Sequence, residues 1–155
     1  MVNKAMDDAF YMNAALDEAR NAAKRGEVPI GAVLVDARSG AIVQADGNRT
    51  IEHHDPTAHA EINVIRAQCA AAHAQRIPEY DLYVTLEPCA MCAGAIAFAR
   101  LRRLVIGAPD PKGGGVLHGG KFFDQPTCHH KIDVQTGVMA EECGQILKDF
   151  FKDRR

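Results

Sequence analysis

The fold of this chain is decided by residues 82–107, which read LYVTLEPCAMCAGAIAFARLRRLVIG. The run Leu82–Leu86 is short, apolar and rich in strand-forming residues, and Leu104–Gly107 is a second run of the same kind. The stretch between them predicts a helix from Cys89 to about Arg100. Strand, helix and strand then form a βαβ unit, which requires parallel strands and a right-handed crossover.

Two cysteines at the start of that helix can bind one metal ion. Cys89 and Cys92 are three positions apart, so they share one face of the predicted first turn. The positive end of the helix dipole favours thiolate over thiol, and thiolate is the form that binds zinc. The pair is therefore half of a metal site at the carboxyl end of a central strand, where open α/β sheets bind ligands.

The other half is expected at a second helix, predicted from about Thr57 to Ala74. His59 follows the helix-entry signal Asp55-Pro56, and Glu61 lies two positions further on. Positions i and i+2 point to different sides of a regular helix, so His59 and Glu61 converge only if the metal lies over the helix end. Three protein ligands leave the fourth tetrahedral position for water, as in catalytic zinc sites, and a carboxylate that is not a ligand suits proton transfer.

The rest of the chain completes an α/β architecture. The pattern predicts a first helix, an antiparallel strand pair, a Pro/Gly-rich loop and a last helix, at about Met6–Arg25, Ile30–Val35 with Ala41–Ala45, Ala108–Gly120 and Ala140–Arg154. Gly26 is placed to end the first helix in a left-handed conformation. Strands alternating with helices after one early hairpin predict a mixed sheet covered on both faces, which is a three-layer α/β/α fold.

Length and composition indicate one ordinary globular domain spanning 1–155, because the chain has 155 residues, 47% of them hydrophobic and 25% charged. No apolar run approaches the ~18 residues of a membrane span, and no signal peptide is recognisable, so we expect a cytoplasmic protein without membrane contact. The 5 cysteines are odd in number and mostly scattered, which favours reduced thiols over disulfides. A net charge of −2 does not indicate nucleic-acid binding, so any RNA contact must come from local patches.

Several motifs together resemble a known family. His59-Ala60-Glu61 followed by Pro88-Cys89-Ala90-Met91-Cys92 resembles the signature of the zinc-dependent nucleoside and nucleobase deaminases. With residues 27–33 (EVPIGAV), Gly47-Asn48-Arg49 and residues 55–58 (DPTA), the motifs more narrowly resemble the bacterial tRNA-specific adenosine deaminases. This resemblance extends along nearly the whole chain.

The resemblance implies a cytidine-deaminase-like fold with a mixed five-stranded sheet. It implies one Zn²⁺ per chain bound by His59, Cys89 and Cys92, and Glu61 as the catalytic proton carrier. The implied reaction is hydrolytic deamination of adenosine to inosine in RNA, at the wobble position of a tRNA anticodon loop. The implied partners are a tRNA anticodon stem-loop and a second copy of the chain in a homodimer. The implied substrate-binding residues are Asn48, Ala60, Asp110, Lys112 and Phe150.

Motif chemistry alone leaves other functions open. The same zinc motif serves deaminases of free cytidine, guanine or other small bases. A structural zinc module, closed by a fourth ligand such as Cys128, would not be an enzyme. Thr127-Cys128-His129-His130 could also form a second metal site, although ligands so crowded do not easily close one tetrahedron.

Three other patterns also have two interpretations. Gly47-Asn48 is ordinary turn chemistry if Asn48 does not hold a nucleoside. Residues 113–115 (GGG) could cradle a phosphate, but a bare glycine run is a weak signal. Lys148, Lys152 and Arg155 share one face of the last helix, which either contacts RNA or is a solvated surface.

Overall fold

The structure of the protein is a computed structural model that describes residues 4–154. Its central strand leads directly into the cysteine motif. In chain order the elements are α1 (Lys4–Lys24), β1 (Gly31–Asp36), β2 (Ile42–Gly47), α2 (Ala60–Ala72), β3 (Tyr80–Leu86), α3 (Ala90–Phe98), β4 (Arg103–Ala108), a short 3₁₀ helix (Phe122–Asp124), β5 (Asp133–Gln135) and α4 (Ala140–Lys152). Among these residues, no helix combines the length and the apolar character needed to cross a membrane.

The strands form one mixed, five-stranded sheet in the order β2-β1-β3-β4-β5. β1 is antiparallel to both β2 and β3, whereas β3, β4 and β5 are mutually parallel neighbours. The register sets Leu82 of β3 beside Leu104 of β4 and Val84 beside Ala32 of β1. The predicted βαβ unit and the mixed five-stranded sheet are therefore confirmed, and the residues after β3 lie at the middle of the sheet edge.

Helices cover both faces of the sheet because successive strand residues point to opposite sides. On one face, Leu82 and Val84 pack with residues of α2 and α3 such as Val64 and Ile96. On the other face, Tyr83 packs with residues of β1, α1, β4 and α4, namely Val33, Met12, Leu16, Val105 and Cys143. The predicted three-layer α/β/α fold is confirmed.

Two glycines let α1 lie unusually close to the sheet. A Cβ atom added at Gly47 would be 2.7 Å from the carbonyl oxygen of Glu18, and one added at Gly31 would overlap the backbone of Ala15 and Ala19. Gly26 ends the turn after α1 with a φ of +85°, as its position in the sequence predicted. Gly47 therefore serves helix packing as well as the turn.

Two helix starts differ from the prediction. α2 begins at Ala60 rather than near Thr57, because Asp55 folds the preceding residues into a turn: its Oδ1 accepts hydrogen bonds from the backbone N (2.8 Å) and Oγ1 (2.7 Å) of Thr57. α3 begins at Ala90, so Cys89 is the N-cap residue and not a residue of the first turn. Both shifts place a predicted metal ligand just before its helix.

Candidate active site

The starts of α2 and α3 bring three metal-binding side chains together. His59 and Cys89 are the N-cap residues of the two helices, both with extended backbone (ψ of 154° and 175°) and without a side-chain capping bond. Cys92 is the third residue of α3 and is buried. The extended backbone at both N-cap positions directs the side chains of His59 and Cys89 to a common position beside Cys92.

The distances between these side chains fit one tetrahedral ion. Nδ1 of His59 lies 3.7 Å from Sγ of Cys89 and 3.5 Å from Sγ of Cys92. All three ligand atoms lie within 4.8 Å of one another. Zinc bonds of ~2.3 Å to sulfur and ~2.0–2.1 Å to nitrogen imply a nitrogen-to-sulfur separation of about 3.6 Å in a tetrahedron. One imidazole and two thiolates are a donor set that zinc binds, so the group fits this metal.

The two thiols share their hydrogen bonds unequally. Cys89 accepts from Cys92 and from His59, which lowers the pKa of Cys89 to about 3. The pKa of Cys92 is raised because its thiol bonds to Cys89 and is buried. The pKa of His59 is also raised, first by its hydrogen bond to Cys89. Zinc binds thiolate and neutral imidazole, so metal binding must release protons from Cys92 and His59.

Glu61 lies beside the cysteine pair and His59 in the interior of the protein. Its side chain is buried, with 4% of the residue exposed, and this burial raises its pKa to about 7. It also hydrogen-bonds to the Cys92 thiol. Glu61 is not a member of the three-residue ligand group. A carboxyl group with a pKa near neutrality, outside the ligand set, can both accept and donate a proton.

Asn48 connects the end of β2 to the start of α2. It is buried, and its Oδ1 accepts a hydrogen bond from the backbone N of Ala60 at 2.9 Å. Among residues 4–154, its Nδ2 has no hydrogen-bond partner. The amide of Ala60 is therefore already engaged by Asn48, while Asn48 itself keeps a free donor.

A cavity of ≈ 930 Å³ lies between the end of the sheet and α4. Asp110 and Lys112 line it, together with Leu86 at the end of β3. Its α4 side consists of Gly144, Leu147, Lys148, Phe151 and Lys152. Lys148 and Lys152 therefore share a surface with two of the predicted substrate contacts, while Arg155 lies outside the described residues.

Phe150 does not line that cavity. It is 8% exposed and lines a smaller cavity with Ala23 and Ile146. The guanidinium carbon of Arg154 lies 3.4 Å from the centre of its ring. The ring of Phe151, which does line the larger cavity, packs edge-on against Phe150 at 5.4 Å.

Glu87 is a buried carboxylate that the sequence analysis did not identify. Its residue is 3% exposed, and it accepts hydrogen bonds from the loop that follows β4. Burial alone would raise the pKa of Glu87, but the N–H groups of Asp110, Leu117 and His118 outweigh burial and hold its pKa below the ordinary value. The available signal was a lone carboxylate directly after an apolar strand, in a chain with a glycine-rich loop to fold over it.

The second possible metal cluster does not form. Sγ of Cys128 donates to the carbonyl oxygen of His130 at 3.6 Å, and Nε2 of His130 lies 2.6 Å from the carbonyl oxygen of Leu101. Within the part of the chain that the structure describes, the His59, Cys89 and Cys92 group is the only cluster of potential ligands. Cys128 thus supplies no fourth ligand, as a closed structural zinc module would require.

Comparison with known proteins gives the class to which this fold and site belong. The family of MafB19-like deaminases matches residues 6–155. The chain therefore belongs to this deaminase family, which confirms the resemblance seen in its motifs.

Individual relatives narrow the comparison. The chain is 57% identical to the tRNA-specific adenosine deaminase of Agrobacterium fabrum over 145 residues, which are 94% of each chain. It is 47% identical to the enzyme of the same name from Haemophilus influenzae, over 96% of this chain and 85% of that one. A solved structure from studies of A-to-I editing by tRNA:A34 deaminases is 58% identical, with a TM-score of 0.86 over 89% of this chain and 99% of that chain. A guanine deaminase from Bacillus subtilis is 28% identical, with a TM-score of 0.63 over 99% of this chain and 94% of that chain.

Proposed function

We propose that this protein is a zinc-dependent hydrolytic deaminase that converts adenosine to inosine in RNA, at the wobble position of a tRNA anticodon loop. The observation that carries this proposal is the position of Glu61, buried beside an imidazole and two thiols whose spacing suits one zinc ion. The 57% identity to a tRNA-specific adenosine deaminase supports the choice of substrate.

His59, Cys89 and Cys92 would hold one Zn²⁺ per chain. When bound, zinc lowers the pKa of a coordinated water molecule and so supplies a nucleophile near neutral pH. His59 would bind through Nδ1, the ring nitrogen that faces both sulfur atoms. The two helix starts would orient these ligands, since His59 and Cys89 are the N-cap residues of α2 and α3 and Cys92 lies in the first turn of α3.

Glu61 would move the protons of the reaction. Its carboxylate takes one proton from water and delivers it to the ring nitrogen beside C6 of the adenine, while the hydroxide that remains bonds to C6 through its oxygen and keeps the second proton. Glu61 then carries the second proton to the exocyclic amine, which leaves as ammonia when its bond to C6 breaks. The products are inosine and ammonia, and Glu61 returns to its starting state.

The substrate would be held by Asn48 and by the cavity between β3 and α4. The free Nδ2 of Asn48 offers a donor to the nucleoside, and the amide of Ala60 would contribute by fixing Asn48. Asp110 and Lys112 line the cavity, where a lysine can pair with phosphate. Phe150 would act from beneath, by supporting Phe151 in the cavity wall.

We also propose one deaminase domain over 1–155 that works in the cytoplasm as a homodimer. The exposed side chains of Met91 and Phe98 on α3, which are 38% and 75% exposed, support a protein–protein contact on that helix. Sedimentation of the protein at micromolar concentration tests this, because replacing Phe98 with Asp should leave only the monomer.

The substrate is tested by inosine formation in a tRNA anticodon stem-loop. The matched controls are the same sequence in a duplex, free adenosine, free cytidine and free guanine. A looped-out adenosine can enter the site, whereas a stacked and paired one cannot, so the stem-loop should react and the duplex should not. Guanine is the sharpest control because of the similarity to a guanine deaminase. Rapid deamination of guanine or cytidine without action on the stem-loop would refute the tRNA proposal.

A further inference from the structure

The loop after β4 is folded around the carboxylate of Glu87. Oε1 accepts from the backbone N of Asp110 at 2.9 Å and lies 2.8 Å from Nδ1 of His118. Oε2 accepts from three consecutive backbone N atoms, those of Val116 (3.2 Å), Leu117 (2.9 Å) and His118 (3.1 Å). The loop thus forms an anion cradle from the N–H groups of Asp110 and residues 116–118, not from glycines 113–115, and the anion is a side chain of the protein itself.

The loop packs closely against Glu87 and the start of α3. The Glu87 side chain is fully buried, with 0% of it exposed. A Cβ atom added at Gly114 would overlap the Glu87 carboxylate, and one added at Gly115 would lie 2.6 Å from the backbone N of Ala90. The backbone N of Gly115 also donates to the carbonyl oxygen of Pro88 at 2.8 Å. The two glycines thus let the loop close over Glu87 and the start of α3.

The same loop forms one wall of the cavity described above. Asp110 receives its position from the bond between its own backbone N and Glu87. The Asp110 carboxylate in turn accepts from the backbone N of Lys112 (3.2 Å) and Gly113 (3.0 Å). Glu87 therefore fixes the backbone of Asp110, and the Asp110 carboxylate in turn fixes the backbone of Lys112 at the wall of the cavity.

We propose that Glu87 is a positioning residue for the RNA substrate, because its carboxylate holds residues 110–118 in the shape that presents Asp110 and Lys112. Glu87 does not touch the reacting atoms in this role. The inference rests on the proposed function, since it assigns to one buried acceptor the organisation of a substrate-binding wall. It predicts that loss of Glu87 weakens RNA binding more than it slows the chemical step.

The test compares Glu87→Gln with Glu27→Gln in the zinc-loaded protein. Glu27 is a matched control, because it is 1% exposed and accepts from the backbone N of Ile51 and Glu52 in a different loop. Three quantities are measured: zinc per chain, amide hydrogen exchange over residues 110–118, and kcat and KM for the anticodon stem-loop. Amide exchange reports on the loop even if the protein has another substrate, so failure of the proposed function and failure of this inference are distinguishable.

In Glu87→Gln, exchange over residues 110–118 should be at least ~10-fold faster, because bonds to a charged acceptor are the strong ones. KM for the stem-loop should rise at least ~10-fold while kcat changes less than ~3-fold, and zinc should stay near one per chain. Glu27→Gln should change neither the exchange of this loop nor KM. Unchanged exchange, unchanged KM or loss of zinc from Glu87→Gln would overturn the inference.

His118→Ala decides the question if Glu87→Gln does not fold. The His118 side chain is 37% exposed and supplies one of the contacts to Glu87, so its removal leaves the backbone donors in place. Exchange at residues 116–118 and KM should each rise by about 3-fold, since one hydrogen bond to a charged group is lost. A variant with the exchange and the KM of the unmodified protein would overturn the inference as well.

Discussion

Two glutamates with almost equal burial serve this molecule in opposite ways. Glu61 at the start of α2 is 4% exposed, and Glu87 after β3 is 3% exposed. Burial raises the pKa of Glu61 to about 7, whereas donors from the covering loop hold the pKa of Glu87 below its ordinary value. The difference teaches that equal exposure to solvent does not fix the pKa of a buried carboxylate, because the hydrogen-bond donors around it act against the cost of burying its charge.

The largest expected effect separates Glu61 from the residues that hold the metal. Glu61→Gln should keep about one zinc per chain but lose turnover by well over the ~10²-fold typical of a lost general base. Cys89→Ala should lose the zinc itself, because a ligand is removed. Metal content by mass spectrometry and single-turnover rates on the stem-loop measure both. If Glu61→Gln lost zinc as readily as Cys89→Ala, Glu61 would be a ligand.

The next effect concerns the stability of the metal-free protein. Glu87→Gln should lower the free energy of unfolding by about 2–3 kcal/mol, because several buried donors lose a charged acceptor. Glu61→Gln should change it by less than ~1 kcal/mol, since a neutral amide suits an apolar setting better than a carboxylate does. Urea denaturation in the presence of a chelator measures both. Equal losses in the two variants would break the contrast between the two glutamates.

Asn48 extends the comparison to a neutral side chain next to Glu61. Asn48→Ala should lower kcat/KM for the stem-loop by ~10-fold or more, because it removes the donor offered to the nucleoside and frees the amide of Ala60. Asn63→Ala is the control, since Nδ2 of Asn63 bonds only to the backbone oxygens of Gly47 and Ala58 among the described residues. That control should lose stability and keep its KM. If Asn48→Ala and Asn63→Ala raised KM for the stem-loop equally, Asn48 would act on the reaction only through its effect on folding.

The smallest effect is expected for charges at the surface. Replacing both Lys148 and Lys152 with Gln should change the free energy of unfolding by less than ~0.5 kcal/mol. If both contact phosphates, a plot of log affinity for the stem-loop against log salt concentration should flatten by up to about one unit for each lost contact. Lys131→Gln, exposed and outside the cavity, should leave this slope unchanged. If the unmodified protein, the Lys148/Lys152 double variant and Lys131→Gln all had the same slope, Lys148 and Lys152 would be solvated surface residues that do not contact RNA.

Much of the fold was readable because its elements carry strong periodicity. The runs around Val33, Val84 and Val105 predicted strands, and the structure has a strand at each of them. β5 was not located individually, since it has three residues, two of them exposed, and no apolar run. β5 is a strand because it pairs with β4, and its own sequence carries no strand pattern.

The site was only partly readable. The i, i+3 spacing of Cys89 and Cys92 predicted a shared metal, because ligand chemistry constrains residue type and separation. His59 was added to the pair by its place after a helix-entry signal and by the family resemblance. The helix starts were misjudged, since Asp55 competes with the helix for its neighbours through a turn that local propensity does not distinguish from a cap. Glu87 escaped notice because its partners lie more than twenty positions away, and no local pattern records a contact of that kind.

The position of β1 between β2 and β3 gives this strand one partner that is near in sequence and one that is distant. The hairpin of β1 with β2 forms from nearby residues, whereas the pairing of Val33 with Tyr83 must wait for a long loop to close. His59 emerges from the ribosome with the first pairing, but Cys89 and Cys92 meet it only after the second. Until then the group of three potential ligands is incomplete. A metal ion bound by His59, Cys89 and Cys92 would therefore stabilise the chain with both pairings formed and not the β1–β2 hairpin alone.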